Sequence, residues 1–118
     1  MQSVRKLVLP QQSWASGVTA AKAPTMIVRG RVEQIIVIIN DNTGNATATL
    51  TITNADSAQL YTKIGIPENA KTVYNANKAT ADFDKFYADE ICTFTITPSG
   101  DPSTSGMTVD VALYVIGE

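Results

Sequence analysis

Apolar and polar residues alternate with a period of two over several stretches of this chain, most clearly between Gly30 and Asn54. There Ala46, Ala48, Leu50 and Ile52 alternate with Thr47, Thr49, Thr51 and Thr53. Successive side chains of a strand point to opposite faces, so this run has one apolar and one threonine face. A helix would scatter the threonines around its circumference, and threonine is a mediocre helix former. The preceding run, Val32 to Ile39, is rich in β-branched residues and apolar at every position from Ile35 onward. Both faces of that strand are then covered, or one face meets another subunit. Between the runs stand Asn40, Asp41, Asn42, Thr43, Gly44 and Asn45, mostly turn formers, which predict a hairpin with a longer loop.

The rest of the chain follows the same grammar. Residues 3–9 (SVRKLVL) read as a short strand or an arm, residues 10–16 as irregular, and residues 17–21 as a short strand. Thr25 to Arg29 reads as a strand leading into Gly30, a glycine of the kind that marks a bulge or bend. Short strands are predicted at Leu60–Ile66 and Lys71–Asn75. The segment 76–90 reads as a loop with a single helical turn, because Phe83, Phe86 and Tyr87 share i, i+3, i+4 spacing; its aromatics would fold onto the end of the domain. Cys92, Phe94 and Ile96 then alternate with Thr93, Thr95 and Thr97. Pro98 to Gly106 (PSGDPSTSG) predicts a flexible hairpin loop. In the last strand Met107, Val109, Val111, Leu113 and Val115 share one face, and Thr108, Asp110, Ala112, Tyr114 and Ile116 the other.

Seven or eight short strands separated by turn signals, without a βαβ pattern, predict an all-β, single-domain antiparallel β-sandwich or barrel. The core expected from the alternation is Val32, Ile36, Ile38, Ala48, Leu50, Ile52, Phe94, Ile96, Val109, Val111 and Leu113. This leaves Ile35, Val37 and Ile39 as a second apolar face, either covered within the fold or shared with another subunit. The lone tryptophan, Trp14, either caps one end of the core or anchors a partner.

Composition narrows the chemistry. A chain of 118 residues suits one domain with a core that needs no metal or disulfide staple. Its net charge of −2 gives no reason to expect nucleic acid or an acidic membrane as partner. Only 17% of residues are charged, so threonine, alanine and asparagine supply a weakly solvated surface suited to packing against protein. There is no histidine, which removes the Ser-His-Asp triad, the Cys-His pair and nearly every zinc site. The single cysteine, Cys92, alternates with core residues and reads as a small buried hydrophobe. Arg5 and Lys6 are followed by too short an apolar run, Leu7 to Leu9, for a signal peptide, and no run approaches a membrane span, so a cytoplasmic site of synthesis is expected.

The acidic residues Asp82, Asp84, Asp89 and Glu90 lack the order of a calcium loop and read as solvated charges beside Lys85. Asp41 and its asparagine neighbours read as turn residues, and Asn45-Ala46-Thr47 as a chance sequon. No phosphate loop is present. These residues predict no catalytic, cofactor or metal site, and no enzyme.

The passage from Val28-Arg29-Gly30-Arg31-Val32 through an apolar strand and a turn to ATLTITN resembles a family of small virion structural proteins. So does Tyr87-Ala88-Asp89-Glu90-Ile91 leading into Thr93-Phe94-Thr95-Ile96, and the closing run from Met107 to Glu118. These are the jelly-roll-type head decoration, or cement, proteins of tailed bacteriophages. The resemblance covers residues 25–118, leaving residues 1–24 as an N-terminal arm with short strands. It implies a capsid-surface protein that clamps neighbouring major capsid protein subunits, often as a homotrimer, without nucleic acid, membrane or cofactor. The face of Ile35, Val37 and Ile39, or that of Tyr114 and Ile116, would be shared between copies, and Arg5, Lys6 and Trp14 would reach a capsid subunit. A tail or fibre role uses the same fold. A carbohydrate-binding β-sandwich module is the competing reading; it would need exposed aromatics, for which Trp14, Tyr61, Tyr74 and Tyr114 are the candidates.

Overall fold

The longest strand among the described residues bends in the middle and serves both leaves of one sheet. The computed structural model describes residues 3–76 and 81–117. Its strands are β1 (Ser3–Val8), β2 (Gln12–Trp14), β3 (Thr25–Ile39), β4 (Ala48–Thr53), β5 (Gln59–Ile66), β6 (Ala70–Asn75), β7 (Phe86–Pro98) and β8 (Met107–Gly117). All pairings are antiparallel. The C-terminal half of β3 lies between β8 and β6, and β1 and β2 line the far edge of β8. The N-terminal half of β3 pairs with β7, which pairs in turn with β4, and β4 with β5. The continuous sheet therefore has two leaves hinged on β3. Val28, Leu50 and Phe94 of one leaf and Ile35, Val111 and Leu113 of the other are all buried in one apolar cluster, so the leaves face each other as a β-sandwich.

The hinge explains one misread face. Between Val32 and Gln34 the register of β3 against β8 shifts by one residue, and Glu33 is the extra residue of a β-bulge. Upstream, even-numbered Val28, Gly30 and Val32 face inward; downstream, odd-numbered Ile35, Val37 and Ile39 do. The core expected at Ile36 and Ile38 is thus corrected: Ile36 is half-buried and Ile38 is 41% exposed on the outer face. The residues expected at a subunit interface, Ile35, Val37 and Ile39, are the ones inside. The other expected core positions, Val32, Ala48, Leu50, Ile52, Phe94, Ile96, Val109, Val111 and Leu113, are buried. Just before the bulge β3 brushes the end of β8, and only glycine fits: at Gly30, with φ +127°, a Cβ would sit 2.7 Å from the carbonyl oxygen of Ile116.

The hairpin expected between residues 30 and 54 does not form, because β3 and β4 are unpaired neighbours in sequence; the loop between them crosses from one leaf to the other. So does the loop from β7 to β8, expected as a hairpin. These two crossings pack on each other. The Gly44 N–H donates to the Pro102 carbonyl at 2.9 Å, and the Thr43 N–H to Ser105 Oγ at 2.8 Å. A Cβ on Gly44 would lie 2.0 Å from the Asp101 carbonyl oxygen, so side-chain-free backbone is required there. Buried Asn42 closes its own turn, accepting from the Ala46 N–H at 2.7 Å and donating to the Ala46 carbonyl at 3.1 Å. Asp101 accepts from the N–H groups of Ser103 and Gly17, both at 2.8 Å, and these bonds hold its carboxyl below the usual range. Among the described residues only β4 and β5 make a hairpin of consecutive paired strands. Its turn is closed by Asn54, whose side chain accepts from the Asp56 and Ala58 N–H groups. Most of the connections between consecutive strands cross from one leaf to the other.

The segment expected as an arm is sheet. β1 and β2 pair along β8, with Leu9 and Trp14 buried in the core. Residues 12–14 are a strand where irregular chain was expected, and residues 17–21, expected as a strand, follow a turn at Ser16 and Gly17 without forming one. The helical turn expected around Phe83 is absent from the described residues of that segment: Phe86 and Tyr87 open β7, and residues 77–80 lie outside the described residues. Phe83 and Phe86 do fold onto the sandwich end, where Phe83 meets Tyr61 edge-on at 5.2 Å between centroids; Tyr87 points to solvent. Burial raises the Tyr61 phenol far above its ordinary value, with the phenol of Tyr74 and the carboxylate of Asp82 adding to the effect. Tyr74 is raised by burial and then by Asp82.

Two outcomes check this account. Urea unfolding should show Ile35→Ala losing about 2–5 kcal/mol, whereas Ile38→Thr, on the same strand but outside, should stay within about 0.5 kcal/mol. Equal losses would place both residues on one side of the strand. The raised phenols give a pH dependence with a definite sign. Tyr61 is neutral in the fold at a pH where the unfolded phenol already ionises. Its contribution is therefore complete below its ordinary value of 10.0 and is lost as pH rises above it. Melting temperature should fall steeply above that pH, and Tyr61→Phe should flatten the fall.

Candidate interaction surfaces

The outer face of the leaf built from β1, β8, β3 and β6 carries an apolar row that crosses all four strands. Val8 pairs with Ala112, Ala112 with Ile36, and Ile36 with Val73, so the four side chains stand side by side. Val8 is 62% and Val73 38% exposed, Ile36 is half-buried, and Ala112 is packed beneath its neighbours. Ile38 extends the patch, between Asp110 on β8 and Lys71 on β6. On the other side of the row Lys6, Tyr114, Gln34 and Asn75 form a polar row in the same register. Lys6 Nζ lies 5.9 Å from the Tyr114 ring centroid, and Gln34 donates to Asn75 Oδ1 at 2.7 Å. Single exposed hydrophobes are ordinary, but a contiguous row bounded by polar groups is the form of a protein-binding face.

The opposite leaf presents a different surface. Thr25, Thr93 and Thr53 stand in one cross-strand row, Thr95, Thr51 and Thr62 in the next, and Thr97 and Thr49 in a third. Thr51 and Thr62 share a hydrogen bond at 3.0 Å between their hydroxyls. Beyond the threonines come the cross-strand pairs Ile27–Ile91, Arg29–Asp89 and Arg31–Tyr87.

The residues expected to make contacts are distributed unevenly over these surfaces. Ile35, Val37 and Ile39 are core, so Val37→Asp, which would probe a shared face there, buries a charge inside the monomer instead. Trp14 is 2% exposed, its indole N–H donating to the Ala20 carbonyl at 2.7 Å and Lys22 Nζ lying 5.4 Å from its ring centroid. Lys6 and Tyr114 lie beside the apolar row. Arg5 and Ile116 belong elsewhere, in a cleft at the end of β8. Val8, Ile36 and Val73 were not singled out from the sequence as contact residues. The signal for Val8 was present in the alternation of Val4, Lys6 and Val8, but Ile36 was hidden by the unbroken apolar run around it. Of the aromatics a sugar-stacking face would use, Trp14, Tyr61 and Tyr74 are buried and Tyr114 is half-buried. Burial, and next the Glu90 carboxylate, raise the Cys92 thiol, which makes it a poor nucleophile at neutral pH. Among the described residues no group of three or more acidic or cysteine side chains is arranged to hold a metal ion, and no helix is long and apolar enough to cross a membrane.

No protein-family model matches the chain, and no curated protein matches it. Among solved structures, it is similar to a chain in the structure of the infectious bursal disease virus Gx strain, at 9% identity and a TM-score of 0.47. That match covers 98% of this chain and 32% of the viral one, so the chain spans about a third of its length. It is also similar to a chain in the acidic stable capsid structure of Helicobacter pylori bacteriophage KHP30, at 8% identity and a TM-score of 0.47. There the match covers 100% of this chain and 99% of the other.

Proposed function

We propose that this protein is a non-enzymatic virion structural protein, a decoration or cement protein that binds the outside of a phage head and reinforces the shell. The observation that carries the assembly role is the apolar row Val8–Ala112–Ile36–Val73 on the outer sheet face. A core already formed by Ile35, Val37, Val111 and Leu113 on the other side of the same strands has no use for it. The resemblance of the strand-and-turn pattern to head decoration proteins supports the choice of shell. In this reading copies of the chain bury the row against one another as a homotrimer, and the trimer rests on the major capsid protein. The mechanism is interface burial. Each contact is modest, at about 25 cal/mol per Å² of apolar surface removed from water, and repetition over a shell multiplies it.

Native mass measured by light scattering on a sizing column should give a trimer that co-sediments with capsids. The double variant Val8→Asp/Val73→Asp, altered at two exposed positions, should keep its melting transition and elute as a monomer, because each aspartate would leave an unpaired charge in the contact. A trimer that survives both substitutions would remove this face from the contact. A monomer that also fails to sediment with capsids would overturn the proposal.

A further inference from the structure

All three arginines of the chain, Arg5, Arg29 and Arg31, line a single cleft of about 500 Å³, while the six lysines are dispersed. The cleft opens where β3 leaves one leaf for the other beside the end of β8, and Tyr87, Asp89 and Ile116 complete its walls. Its volume falls within the range of ligand-binding pockets, about 300–1,000 Å³. From these observations we infer that the cleft is a carboxylate-binding site that receives acidic side chains of another protein chain. The inference goes beyond the function proposed above and does not depend on it.

Backbone brings the arginines together. Arg29 and Arg31 are two apart on the outward-facing side of β3, separated by Gly30, whose missing side chain lets Ile116 and Gly117 approach. Arg5 comes from β1 across β8 and donates from Nη2 to the Arg29 carbonyl, which fixes its guanidinium at the cleft. Arg29 Nη1 holds Asp89 Oδ1 at 2.9 Å, and Arg31 reaches Glu33 Oε1 from Nη2 at 3.2 Å and from Nε at 3.3 Å. Among the described residues each arginine therefore uses part of its fork and keeps further donors, since a guanidinium carries five N–H groups in one plane. Two of the three already hold carboxylates, so the geometry of the site accepts that group.

Charge sets the size of the ligand. Among the described residues, three guanidinium groups face one lining carboxylate, Asp89, a surplus of two positive charges. Counting Glu33 together with Lys85, whose Nζ is 3.9 Å from Glu33 Oε2, leaves the surplus unchanged. One or two carboxylates neutralise it. A nucleic-acid strand presents a regular series of phosphates and would run out from the cleft over a chain of net charge −2, past Asp89 and onto uncharged threonine rows. Tyr87, 69% exposed, and Ile116 offer apolar walls to the methylene groups of a glutamate or aspartate side chain. Arginine in place of lysine is what planar, two-point recognition of carboxylate requires.

The test is a titration of the folded protein with hexaglutamate at low ionic strength, followed by backbone amide NMR. Saturable shifts at Arg29, Arg31 and Tyr87 are expected. Arg5→Gln and Arg29→Gln should each weaken binding about tenfold, the scale of one lost charge-assisted hydrogen bond. Arg31→Lys, which keeps the charge but not the fork, should also weaken it, and Lys63→Gln, remote on β5, should not. The Arg29–Asp89 pair is solvent-exposed, so Arg29→Gln should melt as the parent does. Three outcomes would overturn the inference. One is no saturable shift at the cleft. Another is an equal loss in Lys63→Gln, meaning diffuse charge attraction. The third is tighter binding of an oligothymidylate, or of inorganic phosphate, than of hexaglutamate at the same salt, meaning a phosphate site.

Discussion

The β-bulge at Glu33 is the constraint on which the rest of the structure depends. A strand of 15 residues that serves two leaves must turn its inward side chains toward the core on both sides of the bend. With a strict period of two it would present Ile36 and Ile38 to the core beyond the bend and expose Ile35, Val37 and Ile39. One inserted residue exchanges the two sets. The insertion has a cost, since Glu33 is buried and one of its oxygens lacks a hydrogen-bond partner. Arg31 and Lys85 offset it from two directions, and the three branched side chains placed inside return about 1.5–3 kcal/mol each. Gly30 serves the same bend, because the strand must clear the end of β8 before the bulge can redirect it.

That bend also explains what could be read in the sequence and what could not. Strand β4, the part of β7 from Cys92 to Thr97, and β8 are legible because threonine or other polar residues occupy most of the alternate positions, so the inward face of each is encoded twice, by what is apolar and by what is not. From Ile35 to Ile39 there is no polar residue to set the phase, and either face could be inside. The residue that decides it, Glu33, is an acid, which reads as solvent-facing and hides its role as the inserted residue. Pairing partners were less legible than strands. Asn40 to Asn45 has the chemistry of a turn and does form one around Asn42, but turn chemistry does not state whether the chain returns beside the strand it left or crosses to the other leaf. That choice is made by contacts distant in sequence: the loop backbone bonds Pro102 and Ser105, and Asn40 bonds the Thr108 N–H at 2.9 Å. The arginine cleft was invisible for the same reason. Arg5 is remote from Arg29 and Arg31 in the chain, and only the pairing of β1 with β8 brings it to them.

The surface is divided as sharply as the core. One leaf shows an apolar row with lysine and tyrosine beside it, and the other shows rows of threonine. The threonine face follows from the alternation that made β4 and β7 readable. Its hydroxyls can hydrogen-bond across strands, as Thr51 and Thr62 do, and its methyl groups cover backbone without adding charge. The apolar face carries a hazard, because β1 is a sheet edge with Val4 and Val8 exposed beside it. Lys6, between them on the same side of the strand, is the kind of residue that discourages a further strand from adding to such an edge. Lys6 thus works against open-ended strand addition at this edge and leaves the row itself available for face-to-face burial.

Closed association of that kind suits a protein whose charge is sparse but concentrated. Apolar rows give adhesion with little orientation, since a row can slide along a matching one. A guanidinium fork is the opposite: it contributes modestly to adhesion at an exposed site but accepts a carboxylate in a narrow range of geometries. The two features lie at different places on the molecule, the row across the middle of one leaf and the cleft at the end of β8 where the leaves join. A partner that engages both is fixed in register as well as held. Backbone, through Gly30 and the Arg29 carbonyl, positions the three guanidinium groups. The same three residues spread over the surface would supply equal charge and no register.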